Sequence, residues 1–149
     1  MTSVQAILDL IKTQSTTDQQ ILINSWNGLK NRYHAPENNK PDEIKHGIKK
    51  WRNEKGEFHR TETDANGLTL PALIFEDGTK KWLQNGKLHR TETDINGLTL
   101  PAVIWSNGRM QWYQNNQLHR TDVVNGKLQP AVINKHNDKQ YWIHEQRID

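Results

Sequence analysis

A fourteen-residue string, His59 to Ala72, returns from His89 to Ala102 with a single change, Ile95 in place of Ala65. A third, diverged copy opens at His119-Arg120-Thr121-Asp122 and reaches Pro130-Ala131. The tryptophans keep the same period: Trp51, Trp82, Trp112 and Trp142 follow one another at intervals of 31, 30 and 30 residues. A repeated unit of this size buries its apolar face only by stacking on its neighbours. The expectation is therefore an array of units in place of a single rounded core.

Each unit carries its own turn signals. Asn-Gly and Asp-Gly pairs, which adopt the positive φ of tight hairpins, stand at Asn66-Gly67, Asp77-Gly78, Asn85-Gly86, Asn96-Gly97, Asn107-Gly108 and Asn125-Gly126. Lys55-Gly56, Asn115-Asn116 and Asn137-Asp138 fill equivalent slots. Turns at this spacing predict short antiparallel strands, about ten of them, near 45–53, 57–64, 68–76, 79–84, 87–94, 98–105, 109–114, 117–123, 127–135 and 139–145. Proline cannot donate to a ladder, so Pro71 and Pro101 mark an edge or a strand start, and the stretch from Thr61 to Leu70 reads as a protruding hairpin. The fold expected is mainly β with a small α cap: an antiparallel meander of three thirty-residue units over 45–149. Three turns per unit imply three strands per unit, and an odd count makes neighbouring units of a pure meander run in opposite senses. An open twisted meander is favoured over a coiled or closed sheet.

The N-terminal part has a different period. Val4, Ile7, Leu8 and Ile11, then Leu22, Trp26, Leu29 and Tyr33, are spaced for helices near 3–13 and 18–32, with Thr17 and Gln20 placed as a capping box. The segment 1–34 is expected to be a helical hairpin that caps the first sheet edge or docks a partner, a second copy of the chain included. A polar linker follows over 35–44.

Composition narrows the functional classes. Hydrophobic residues are 33% and mean hydropathy is −0.96, which suits a disordered chain, but six tryptophans do not. The core should therefore be thin and the strands half exposed. With no cysteine, disulfides, thiolate nucleophiles and cysteine zinc sites are excluded. No apolar run reaches the length of a membrane helix, and Met1-Thr2-Ser3-Val4-Gln5 lacks the basic and apolar regions of a signal peptide, so a cytoplasmic chain is expected. The net charge of +3 permits acidic partners without demanding them.

The candidate chemistry is itself repeated. His59, His89 and His119 recur beside Arg60, Arg90 and Arg120. An active site or metal centre needs groups converging on one point, whereas residues repeated along an array form a ladder. The histidine is then expected to hydrogen-bond a turn carbonyl, and the arginine to pair with Glu62, Asp64 or their copies. The four serines lie in no nucleophile elbow, and no phosphate-binding glycine loop is present. No catalytic residue, metal or cofactor is expected. Two binding surfaces remain. Trp82, Trp112, His89, Arg90, Arg60 and Arg120 are of the types that dominate protein interfaces. Lys49, Lys50, Trp51 and Arg52 join basic groups to an aromatic ring, as a nucleic-acid surface does.

The run Trp82-Leu83-Gln84-Asn85-Gly86-Lys87-Leu88-His89-Arg90 followed by Pro101-Ala102-Val103-Ile104 resembles a repeat of bacterial, prophage and large-virus proteins, similar to the MORN family of β-hairpin repeats. It covers about 45–145, with a longer segment between His-Arg and Pro-Ala than the family pattern. The resemblance implies a scaffold that binds a protein partner without catalysis, in the manner of an inhibitor, anti-defence factor or immunity protein.

Overall fold

The structure is a computed structural model that describes residues 40–148. The helices expected over 3–13 and 18–32, and any pairing of two chains through them, lie outside the described residues. Those described are all β, with no helix among them.

Fifteen short strands follow one another: β1 (Glu43–Lys45), β2 (Ile48–Lys50), β3 (Leu73–Ile74), β4 (Lys80–Lys81), β5 (Leu83–Gln84), β6 (Lys87–Leu88), β7 (Val103–Ile104) and β8 (Met110–Gln111), then β9 (Tyr113–Gln114), β10 (Gln117–Leu118), β11 (Val123–Val124), β12 (Lys127–Leu128), β13 (Val132–Ile133), β14 (Lys139–Ile143) and β15 (Gln146–Ile148). Every pairing is antiparallel, as the turn signals predicted. The count exceeds the ten expected because the longer segments break. The pair His46-Gly47, with φ of 51° and 74°, turns β1 back into β2 inside the predicted strand 45–53. The predicted strand 79–84 divides at Trp82 into β4 and β5, which belong to different sheets.

That division organises the fold. Each unit contributes three hairpins, and like hairpins of successive units stack on one another in three columns. The first column is the meander β1-β2-β3-β4-β7-β8-β13-β14-β15. Its register places Lys50, Leu73, Lys81, Val103, Gln111, Val132 and Gln140 directly opposite one another, and therefore on one face. The second column holds the Arg52–Phe58 bridge, β5–β6, β9–β10 and the distal half of β14–β15. Gly86 donates its N–H to the Phe58 carbonyl, Asn116 to Leu88 and Glu145 to Leu118, at 2.9 to 3.0 Å. The third column holds the hairpins closed by the Thr63–Thr69 and Thr93–Thr99 bridges and by β11–β12. Because each unit adds two strands to the first column, neighbouring units run in the same sense, and the alternation inferred from three strands per unit does not occur.

Tryptophan is the corner residue. Trp82 donates its backbone N–H to Ala102 across the first column at 2.8 Å, while its carbonyl accepts from His89 at 3.2 Å to close the second-column hairpin. Trp51 and Trp112 make the equivalent pairs with Ala72 and His59, and with Ala131 and His119. Ala72, Ala102 and Ala131 are wholly buried beside these corners, and with Val103 and Val132 they form the thin core.

Candidate interaction cleft

Behind each corner lies the same group of side chains. The guanidinium of Arg60 lies 3.7 Å from the Trp51 ring centroid, Arg90 lies 4.0 Å from Trp82, and Arg120 lies 4.1 Å from Trp112. Each arginine is nearly buried and donates Nη1 to a proline carbonyl, of Pro71, Pro101 or Pro130, at 3.0 to 3.1 Å. Each also donates Nε to the acid two residues on: Glu62 at 3.1 Å, Glu92 at 3.4 Å and Asp122 at 2.7 Å. Burial pulls Arg60 and Arg90 below the usual arginine range, and the adjacent carboxylates oppose it. A buried guanidinium is tolerated here because a ring, a carbonyl and a carboxylate replace its water.

The acid also joins neighbouring units. Glu92 Oε2 accepts from the Thr69 N–H at 2.8 Å and the Thr69 hydroxyl at 3.1 Å, and Trp82 Nε1 donates to the Thr69 carbonyl at 2.7 Å. One unit later, Asp122 accepts from the Thr99 N–H and hydroxyl at 2.9 and 2.8 Å, and Trp112 Nε1 donates to Thr99 at 2.7 Å. Among the described residues no such threonine precedes the first unit. Trp51 Nε1 is the buried side-chain polar group without a partner among the described residues. The role of Thr69 and Thr99 was missed from sequence, although both fall inside the duplicated string.

The histidines also link units, with the polarity opposite to the expected one. His59, His89 and His119 each accept at Nδ1 a backbone N–H from the next second-column turn: Asn85 at 3.0 Å, Asn115 at 3.2 Å and His144 at 3.0 Å. An accepting Nδ1 fixes the neutral tautomer with the proton on Nε2. Burial, then the neighbouring His144, holds the His119 imidazole below its ordinary value, and the two rings lie 4.3 Å apart.

Between the first two units these groups border an open cleft of about 370 Å³. Four of the six residues expected at a protein interface, Arg60, Trp82, His89 and Arg90, line it together with Gln84 and Thr61, Thr69 and Thr91. Trp112 and Arg120 occupy the corresponding places one unit on. The lining holds two guanidiniums, each paired with an acid, Arg60 with Glu62 and Arg90 with Glu92, and the Glu92 oxygens already take three donors. What remains to be satisfied is mostly donors: the Nε2–H of His89 and the hydroxyls of the exposed Thr61 and Thr91. Such a lining is suited to an acceptor-rich group such as a carboxylate.

The other predicted set does not assemble. Lys49 is exposed, Lys50 and Arg52 share the Glu43 carboxylate at 3.6 and 2.9 Å, and Trp51 is 6% exposed. Among the described residues no three His, Cys, Asp or Glu side chains gather as metal ligands, and no helix is long and apolar enough to cross a membrane. Compared with family models, curated proteins and solved structures, the chain matches none.

Proposed function

We propose that the chain is a non-catalytic binding module that docks on an acidic segment of a protein partner and so blocks or scaffolds it. The observation that supports this reading is the cleft between the first two units, where Arg60, Trp82, His89 and Arg90 meet and the Nε2–H of His89 and the hydroxyls of Thr61 and Thr91 seek acceptors. Each repeated arginine is already paired with an acid two residues on, so recognition rests on the remaining donors, which act more strongly in a partly dry lining than in water. The resemblance to MORN-type scaffolds points the same way. Repetition of the Trp–Arg–acid group favours multivalent contact over a single reactive centre.

The test places a carboxylate at the mouth of the cleft. Thr91 is exposed and lines it, so Thr91→Glu should leave the fold intact. A Glu-rich peptide is expected to bind the unaltered chain with an affinity that falls with salt, and to bind Thr91→Glu at least about tenfold more weakly. Binding of single-stranded DNA in place of the peptide would overturn the reading and favour a nucleic-acid partner.

A further inference from the structure

The residues that border the cleft recur with the unit. Arg90, Thr91, Trp112, His119, Arg120 and Asp122 stand in the second-to-third step where Arg60, Thr61, Trp82, His89, Arg90 and Glu92 stand in the first. The hydrogen bonds that hold them recur as well. The arginine Nη1 bonds to Pro101 and Pro130 match at 3.1 and 3.0 Å, the indole bonds to Thr69 and Thr99 match at 2.7 Å, and the acid takes the threonine N–H at 2.8 and 2.9 Å. The residues that would seat an acceptor therefore recur one unit apart along the array.

The sheet sets their separation. From β4 to β8 the first column advances by two strands, with β7 between them. Hydrogen-bonded strands lie about 4.8 Å apart, so one unit is about 9.6 Å. An extended polyproline II chain rises about 3.1 Å per residue with three residues per turn, so side chains three residues apart project from the same side about 9.3 Å apart. The two lengths agree within a few tenths of an ångström. Side chains two residues apart in such a chain point in different directions and are separated by only about 6 Å.

We infer that the partner segment is an extended acidic peptide running along the array, with carboxylates three residues apart, one seated in each inter-unit step. The inference rests on the cleft as the binding site and adds the partner's spacing and conformation. Its energetic basis is bivalency: once the first carboxylate is seated, the second binds as an intramolecular step and needs no new type of contact. A stiff polyproline frame loses little freedom on binding, which favours this geometry further.

The experiment uses the full chain and three synthetic peptides built on the same proline frame: one glutamate, two glutamates three residues apart, and two glutamates two residues apart. Calorimetry at low salt is expected to show the three-residue spacing binding about tenfold or more tighter than either of the others. Thr121 is exposed and occupies in the second step the place of Thr91 in the first. Thr121→Glu should bring the three-residue peptide down to the affinity of the single-glutamate peptide. Equal affinity for the two- and three-residue spacings would overturn the spacing while leaving the cleft as a carboxylate site. No binding of any of the three would overturn both.

Discussion

The Arg90 guanidinium stacks on Trp82, 4.0 Å from the ring centroid, while Nη1 is held by the Pro101 carbonyl and Nε by Glu92. One side chain thus ties the corner of the second unit to the start of β7 in the same unit. Arg90→Ala removes the cation and leaves the Glu92 carboxylate with only Thr69 as partner. The expected loss is roughly 3 kcal/mol in urea unfolding, the usual cost of breaking a shielded ion pair from one side. Arg90→Lys keeps the charge but has no fork to reach ring, carbonyl and acid together, so it should recover only part of that loss.

Acid should loosen the array through His119. The His119 Nδ1 that accepts the His144 N–H must lose that bond when protonated, and both burial and the neighbouring His144 keep its affinity for protons below the ordinary value. The facing groups are the His144 ring and, from the same turn, Glu145, whose carboxylate accepts from the Leu118 N–H. The unfolded chain binds the proton first. This contribution is therefore complete above the unfolded value near pH 6.5 and is lost as pH falls below it toward the lower folded value. Unfolding curves between pH 8 and pH 5 should show the decline. His119→Asn, whose amide oxygen can accept the same N–H without titrating, should flatten it. An unchanged pH slope in that variant would remove His119 from the account.

The array and its turns were legible in the sequence because glycine, asparagine and proline act locally. Gly78 at φ 92° and Asn85 at φ 50° stand where the dipeptide signals placed them. The corners were not legible. Trp82 reads as a strand residue, and only the pairing of its N–H with Ala102 and of its carbonyl with His89 shows that the chain changes sheets there. The candidate site was half legible. Arginine pairing with Glu62 and its copies followed from proximity in the chain, whereas the Thr69–Glu92 bond spans 23 residues and depends on how units stack. The histidine polarity was inverted because a sequence names the imidazole without naming its tautomer.

The turn overlooked in the sequence can be improved. His46 holds a φ of 51° before Gly47 at 74°, the pattern that Asn85-Gly86 and Asn125-Gly126 adopt with asparagine. Asparagine tolerates this backbone region better than histidine, and His46 is exposed. His46→Asn should stabilise the chain by about 0.5 kcal/mol, seen as a melting-temperature rise of about 1–2 °C.

Trp51 and Trp82 differ in one interaction, and a matched pair of variants isolates it. Both rings lie under an arginine and both are nearly buried, but Trp82 Nε1 reaches the Thr69 carbonyl at 2.7 Å whereas Trp51 Nε1 has no partner among the described residues. Phenylalanine keeps an aromatic face beneath the cation and removes the N–H. Trp82→Phe therefore loses ring area and a hydrogen bond, and leaves a carbonyl unpaired. Trp51→Phe loses similar ring area but also relieves a donor buried without an acceptor, which partly offsets the loss. The expected result is that Trp82→Phe costs about 1–2 kcal/mol more than Trp51→Phe in equilibrium denaturation. Equal costs would mean that the Trp51 indole finds an acceptor in solution. Direct observation of that single indole proton by NMR, through its chemical shift and its exchange with solvent, decides between the two outcomes.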